Sequence, residues 1–245
     1  MDSPSQPIAC ALCGALNAAT LTPEVDVTHS PDMDLRPAGR ARRTLAAWVQ
    51  CCSACGYAQP ALDALPEGLT LDAARALVAS EKYTVTLSDV RYPALANGFR
   101  ALALLQAAAN EPAAADLAAL SLLYAAWTCD DAADADDSAV APVQAQALAR
   151  GLRRTSAERL RAALEEGRAP VVDSATSWLV LADCYRRAEA YPSAHTATVR
   201  GLAAVGDGED SASAVLRGLL HFEQQLAEAQ ETAAVNMAQA FEPDA

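Results

Sequence analysis

From Tyr92 onward, apolar and polar residues alternate at the three- and four-residue steps of a helix, and Phe99, Leu102, Ala103 and Gln106 share one face. Asn97-Gly98 is the weak spot of this run. Asn110-Glu111-Pro112 breaks it, because proline lacks an N–H and crowds the preceding turn. Ala113–Thr128 predicts the return helix, with Leu117, Leu120, Leu123, Tyr124 and Trp127 on or near one side. Val140–Gly167 predicts a long helix carrying Arg150, Arg153, Arg154, Arg159 and Arg161, with Glu158, Glu165 and Glu166 placed to pair with them at helical spacing. Asp210–Phe241 supplies one long or two shorter capping helices. Upstream the pattern is weaker. Leu71–Ser80 predicts a short helix with Thr70 or Asp72 in its first turn, and Glu81–Asp89 predicts a connector with brief strand propensity.

Trp178, Leu181, Ala182 and Tyr185, then Tyr191, Ala194, Thr198 and Gly201, fall at the spacings of a tetratricopeptide unit, where large residues of one helix pack on small residues of the next. Ala182 and Ala194 take the positions of closest approach. Overlaying Phe99 on Trp178 brings Leu102, Ala103, Pro112, Ala115, Ala119 and Leu122 into the matching slots, so 91–128 reads as a degenerate copy. Trp127, Trp178 and Tyr185 read as core, and Cys129 and Cys184 as small buried apolar groups.

The first quarter of the chain differs. Cys10-Ala11-Leu12-Cys13-Gly14 and Cys52-Ser53-Ala54-Cys55-Gly56 are two copies of one pattern. Four thiolates in two such knuckles meet the tetrahedral preference of Zn²⁺, and the glycine after each pair permits a tight turn. Weak strand character over Leu21–Thr28, a loop over His29–Arg43 and a strand over Leu45–Cys51 between the knuckles follow zinc-ribbon logic. Cys10, Cys13, Cys52 and Cys55 are the expected ligands of one structural Zn²⁺. Iron takes the same donors, and Cys51 competes with Cys52 for the fourth place. His29 has no vacancy to fill. A closed four-sulfur site keeps no open position for hydrolytic chemistry.

Between the knuckles, Ser30-Pro31-Asp32-Met33-Asp34-Leu35-Arg36-Pro37 sets two carboxylates and a guanidinium on one side of an extended segment. Asp32, Asp34 and Arg36 are candidates for partner binding. The alternative is a self-satisfied loop in which Arg36 pairs with a carboxylate and ties the loop to the helices. The succession Cys10–Gly14, Ser30–Pro37 and Trp48–Tyr57 resembles a little-characterised bacterial family of unknown function, specifically over residues 10–57 and loosely beyond. That resemblance implies a split cysteine head followed by tetratricopeptide-like helices, and no catalytic residues. Ser53 stands where such ribbons often carry proline.

The expected fold is therefore mainly α: a zinc-ribbon-like β head over 1–60, a connector over 61–90, and a helical hairpin array over 91–245. Alanine, 60 of 245 residues, and an aromatic content of 5% fit closely packed helices. The net charge of −13 is uneven: residues 1–60 carry −1 and the remainder −12. An acidic body disfavours nucleic acid there, which leaves a ribbon-borne site on Arg36, Arg40, Arg42 and Arg43 as one alternative. A thiol-redox or metal-responsive role using Cys51 is another. Asp130–Asp137 lacks the glycine and terminal glutamate of a calcium loop and reads as a solvated connection. Gly206-Asp207-Gly208 is a turn without the ending of a phosphate loop. No nucleophile–base constellation is present, Lys82 is the only lysine, and neither a signal peptide nor a spanning apolar run is evident. A non-enzymatic, cytoplasmic, zinc-binding protein whose helical surface takes a protein or peptide partner is the expectation, with no membrane association.

Overall fold

The computed structural model describes residues 6–19, 24, 29–136, 138–206 and 210–242. The strand expected over Leu21–Thr28 falls outside them apart from Glu24, as do Asp137 of the acidic run and Asp207-Gly208 of the expected turn. The chain is mainly α-helical, with two small antiparallel strand pairs near its N-terminus. It divides into two compact units: Met1–Asp26 with Arg43–Leu152, and Val27–Arg42 with Arg153–Ala245. The divisions drawn at residues 60 and 90 are not among these boundaries. The cysteine knuckles share a unit with the first helical hairpin, and the intervening loop belongs to the other unit.

In the first unit, β1 (Gln6–Ala9) pairs with β2 (Leu16–Ala19), and β3 (Gln50–Cys51) with β4 (Ala58–Gln59). The strand expected from Leu45 is mostly absent, since residues 43–47 form a 3₁₀ turn. Thr44, Leu45 and Ala47 are all buried there, and the Trp48 indole donates to Thr44 Oγ1 at 3.1 Å. Helical spacing of buried groups outcompetes alternation, and only two residues remain to pair as a strand.

Helix α1 (Gly39–Arg42) is a single turn, and α2 (Leu71–Val78) begins at Thr70, whose side chain accepts from the Ala73 N–H. The expected connector over Glu81–Asp89 is instead helix α3 (Glu81–Leu87). Its β-branched residues disfavour a helix, but Ser80 caps the first turn by accepting from Tyr83 N–H, and Tyr83 is buried against the core. Capping and one anchoring aromatic override local propensity.

Helices α4 (Ala94–Ala108) and α5 (Pro112–Asp134) form the hairpin expected from periodicity, with Pro112 in the first turn of α5. The apparent weak spot at Asn97-Gly98 proves to be a packing position. A Cβ on Gly98 would lie 3.4 Å from Cys51 Sγ and from Val49, and the Asn97 side-chain amide donates to the Asp89 carbonyl at 2.8 Å. Tyr57, Leu62, Tyr83, Phe99 and Leu105 are essentially inaccessible and lie in one core that also takes in Cys10 and Cys52. Each such large apolar side chain contributes about 1.5–3 kcal/mol through burial.

Helix α6 (Pro142–Glu165) crosses the division at residue 152. In the second unit it is followed by α7 (Ser174–Arg187), α8 (Tyr191–Val205) and α9 (Ser211–Glu228), with a 3₁₀ turn at Met237–Phe241. Asp173 and Asp210 cap α7 and α9, accepting from the N–H groups of Thr176 and Ser213. Ala182 and Ala194 are fully buried. A Cβ on Gly201 would meet Leu220 Cδ2 at 2.6 Å and Trp178 Cβ at 3.1 Å, so only glycine lets α8 lie this close to α7 and α9. Among the described residues no helix is long and apolar enough to cross a membrane.

Candidate metal centre

Each cysteine knuckle occupies the tip of one small hairpin. The first lies between β1 and β2, and the second between β3 and β4. Their backbones repeat the same geometry. Cys10 N–H donates to Ala15 O and Gly14 N–H to Cys10 O; Cys52 N–H donates to Tyr57 O and Gly56 N–H to Cys52 O, all at 2.8–2.9 Å. Gly14 and Gly56 have φ of 74° and 76°, a region that excludes most side chains.

Four sulfur atoms converge from these tips, those of Cys10, Cys13, Cys52 and Cys55, all within 4.8 Å of one another. Cys10 Sγ is 3.7 Å from Cys55 Sγ, and Cys13 Sγ is 3.6 Å from Cys52 Sγ. A tetrahedron with Zn–S bonds of about 2.3 Å has edges of about 3.8 Å. The separations are thus those of sulfurs around one ion and are too long for disulfides, and none of the seven cysteines is in a disulfide.

The local electrostatics ask for a cation. Burial pushes the Cys10 and Cys55 thiols above their ordinary value. Burial acts the same way on Cys52, but the Cys55 and Ala54 N–H groups, the Asn17 amide and the Cys13 thiol outweigh it and hold Cys52 at about 6. Four thiolates at such distances repel one another strongly, and a divalent ion is what allows all four to ionise.

The surroundings hold the knuckles in place. Arg75 on α2 donates twice to Leu12 O, at 3.1 and 2.9 Å, fixing the first tip. On α3 the Tyr83 hydroxyl donates to Gly56 O and accepts from Ala58 N–H, both at 3.0 Å, fixing the second. Asn17 joins the two. Its amide donates to Cys52 Sγ at 3.5 Å, while its carbonyl oxygen accepts from the Ser53 N–H at 2.9 Å and hydroxyl at 3.0 Å. Sequence reading missed Arg75, Tyr83 and Asn17, because none lies in a motif. The serine at position 53 was the one available signal, since proline there would have no N–H for Asn17.

Cys51 is not one of the converging sulfurs. Cys51 is an exposed residue, but its Sγ is turned toward Gly98 on α4, and burial of the sulfur, then the neighbouring Cys52, push its thiol up. That environment opposes the thiolate needed for redox reactivity.

Asp32, Asp34 and Arg36 lie in the other unit and are buried, with relative exposures of 8%, 1% and 2%. Asp34 pairs with Arg153 and Arg187, and Asp32 with Arg42 at 2.6 Å. Met33 N–H donates to Val235 O and Met237 N–H to Pro31 O, which lays the loop along the 235–237 segment. These side chains are turned into the protein. The Arg36 backbone N–H donates to Asp34 Oδ1 at 3.2 Å.

Fold and site together define a mainly α-helical protein with a candidate four-cysteine metal centre carried on two small hairpins. No family model, curated protein or solved structure matches the chain, so the resemblance over residues 10–57 stands on its motif residues.

Proposed function

We propose that the chain is a non-enzymatic zinc-binding protein of the cytoplasm, in which one structural Zn²⁺ on Cys10, Cys13, Cys52 and Cys55 clamps two hairpins. Its helical hairpins, read as tetratricopeptide-like, offer a surface to a protein or peptide partner. The observation carrying the metal reading is the 3.6–3.7 Å spacing of paired sulfurs drawn from positions about forty residues apart. Zinc is preferred to iron because four thiolates in a closed structural site are its commonest setting. Supporting the helical surface are the buried small residues Ala182, Ala194 and Gly201 at the positions of close approach. The nucleic-acid alternative is weakened by Arg36, which is buried, and Arg42, which is held by Asp32.

Elemental analysis of the purified full chain tests the metal reading. One zinc per chain, reduced in Cys13→Ser and Cys55→Ser, supports it; stoichiometric iron or no metal overturns it. For the interaction reading, capture from a bacterial lysate should retain a defined partner that is lost on surface substitution of α7 or α8 with folding intact. Retention of nucleic acid alone would overturn it.

A further inference from the structure

The first unit contains a cavity of about 360 Å³ enclosed by α4, the first half of α5 and the segments flanking β4. That size is within the range of small-molecule sites, roughly 300–1,000 Å³. Its accessible apolar surface comes from Trp48, Leu117, Leu120 and Tyr124, with the buried Phe99 and Leu102 packed behind them. The aromatic rings are fixed by edge-on packing, with Trp48 and Phe99 5.2 and 5.7 Å from Tyr124, and Trp48 is further held by its bond to Thr44. A rigid wall of this kind is preorganised for an apolar or aromatic guest.

The charged groups of the lining have one sign. Glu67 and Glu111 border the cavity, and no lysine, arginine or histidine does. Both glutamates belong to exposed residues, and Glu111, although it occupies the N-cap of α5, makes no side-chain capping bond. Asn110 N–H donates to Gly68 O, and a Cβ on Gly68 would fall 2.5 Å from Glu111 Cγ, so the two glutamate-bearing segments are fastened together at the rim. The N-terminus of α5 contributes the equivalent of about half a positive charge. Two carboxylates outweigh it, leaving a negative rim above an aromatic floor.

We infer that this cavity is a binding site for a small organic cation, an ammonium group joined to an aromatic or branched apolar body. The body fills the space beside Trp48, Leu120 and Tyr124. The ammonium sits at the rim, between the carboxylates and the negative faces of the rings. Of the polar lining, Ser121 Oγ donates to Gln106 Oε1 at 2.8 Å, which takes up one donor and one acceptor that a guest could otherwise use.

Calorimetric titration of the metal-loaded full chain with 2-(1-naphthyl)ethylammonium, and with 1-naphthylacetate as the size-matched anion, tests the inference. The ammonium compound should bind at least roughly ten-fold more tightly than the anion. Glu67→Gln with Glu111→Gln should erase that preference while leaving weak binding of both. Leu117→Trp, a change at a half-exposed lining position, should abolish binding of both with the melting temperature kept. Failure of the ammonium compound to bind at millimolar concentration, equal binding of the two compounds, or binding that survives Leu117→Trp would each overturn it. The outcome does not depend on whether the helical hairpins take a protein partner.

Discussion

Asn17 in β2 bridges the two cysteine hairpins, its side-chain oxygen accepting from the N–H and hydroxyl of Ser53 in the second knuckle. The same asparagine also donates to Cys52 Sγ and to Ala15 O, so a single amide sets both the distance between the tips and the charge on one ligand. Asn17→Ala should weaken metal affinity by about ten-fold, as loss of an outer-shell partner does, and should lower stability by about 1 kcal/mol. Ser53→Pro should approach the same loss of affinity, while Ser53→Ala keeps the N–H and should lose less. Competition with a calibrated chelator measures all three.

Removal of the ion with a chelator should loosen the tips more than the helices. Hydrogen exchange is expected to show lost protection at Gly14, Gly56 and the four strands, with α4 and α5 retained because Phe99, Leu105 and Leu123 bury without reference to the metal. Cys13→Ala should reproduce the pattern without a chelator. Since thiols must lose their protons to ligate, zinc release should become easier as pH falls.

Asp34 is shared by Arg153 and Arg187, at 3.4 Å each, with almost no solvent access. Asp34→Asn removes the common counter-charge and should cost about 3 kcal/mol or more, the scale for breaking a buried ion pair from one side. Asp34→Leu combined with Arg153→Met should recover part of that. Denaturant titration of the full chain distinguishes the two outcomes.

Asp89, ahead of α4, titrates at about 2, below its ordinary 3.8, first because Arg91 donates to both of its carboxylate oxygens, at 2.9 and 2.8 Å. The unfolded chain therefore takes up this proton before the folded one does. The resulting stabilisation is complete above roughly pH 4–5 and is lost as pH falls towards 2. Solvent around the exposed Arg91 limits it to about 1 kcal/mol. In Asp89→Asn, stability should fall less steeply across that interval, as acid titration of the unfolding midpoint would show.

Much of this was legible beforehand where a repeated spacing carried it. The helices from Ala94 to Glu228 follow from periodicity and proline breaks, and the four ligands from the doubled Cys-x-x-Cys-Gly. Missing from the sequence were features set by tertiary context. Leu45–Cys51 and Glu81–Asp89 look strand-like because of Trp48 and Val49 in the first and Tyr83, Thr84, Val85 and Thr86 in the second, yet the buried groups of the 43–47 turn and a Ser80 cap decide their form. In Ser30–Pro37 the self-satisfied loop was legible, but not which groups it would meet, since the counter-charges of Asp34, Arg153 and Arg187, lie more than a hundred residues away in the chain. Arg75 and Tyr83 stayed hidden for the same reason, since each is linked to a knuckle by a bond that spans distant sequence.

Arg75 grips one cysteine turn and Tyr83 the other through main-chain atoms, so each claw is tied to a helix independently of the sulfurs. A metal captured on the proposed ligands would then order the tips and the four strands against helices already in place. A centre organised in this way gives up and regains its metal without passing through a disordered chain, in contrast to small finger domains that fold only as they load.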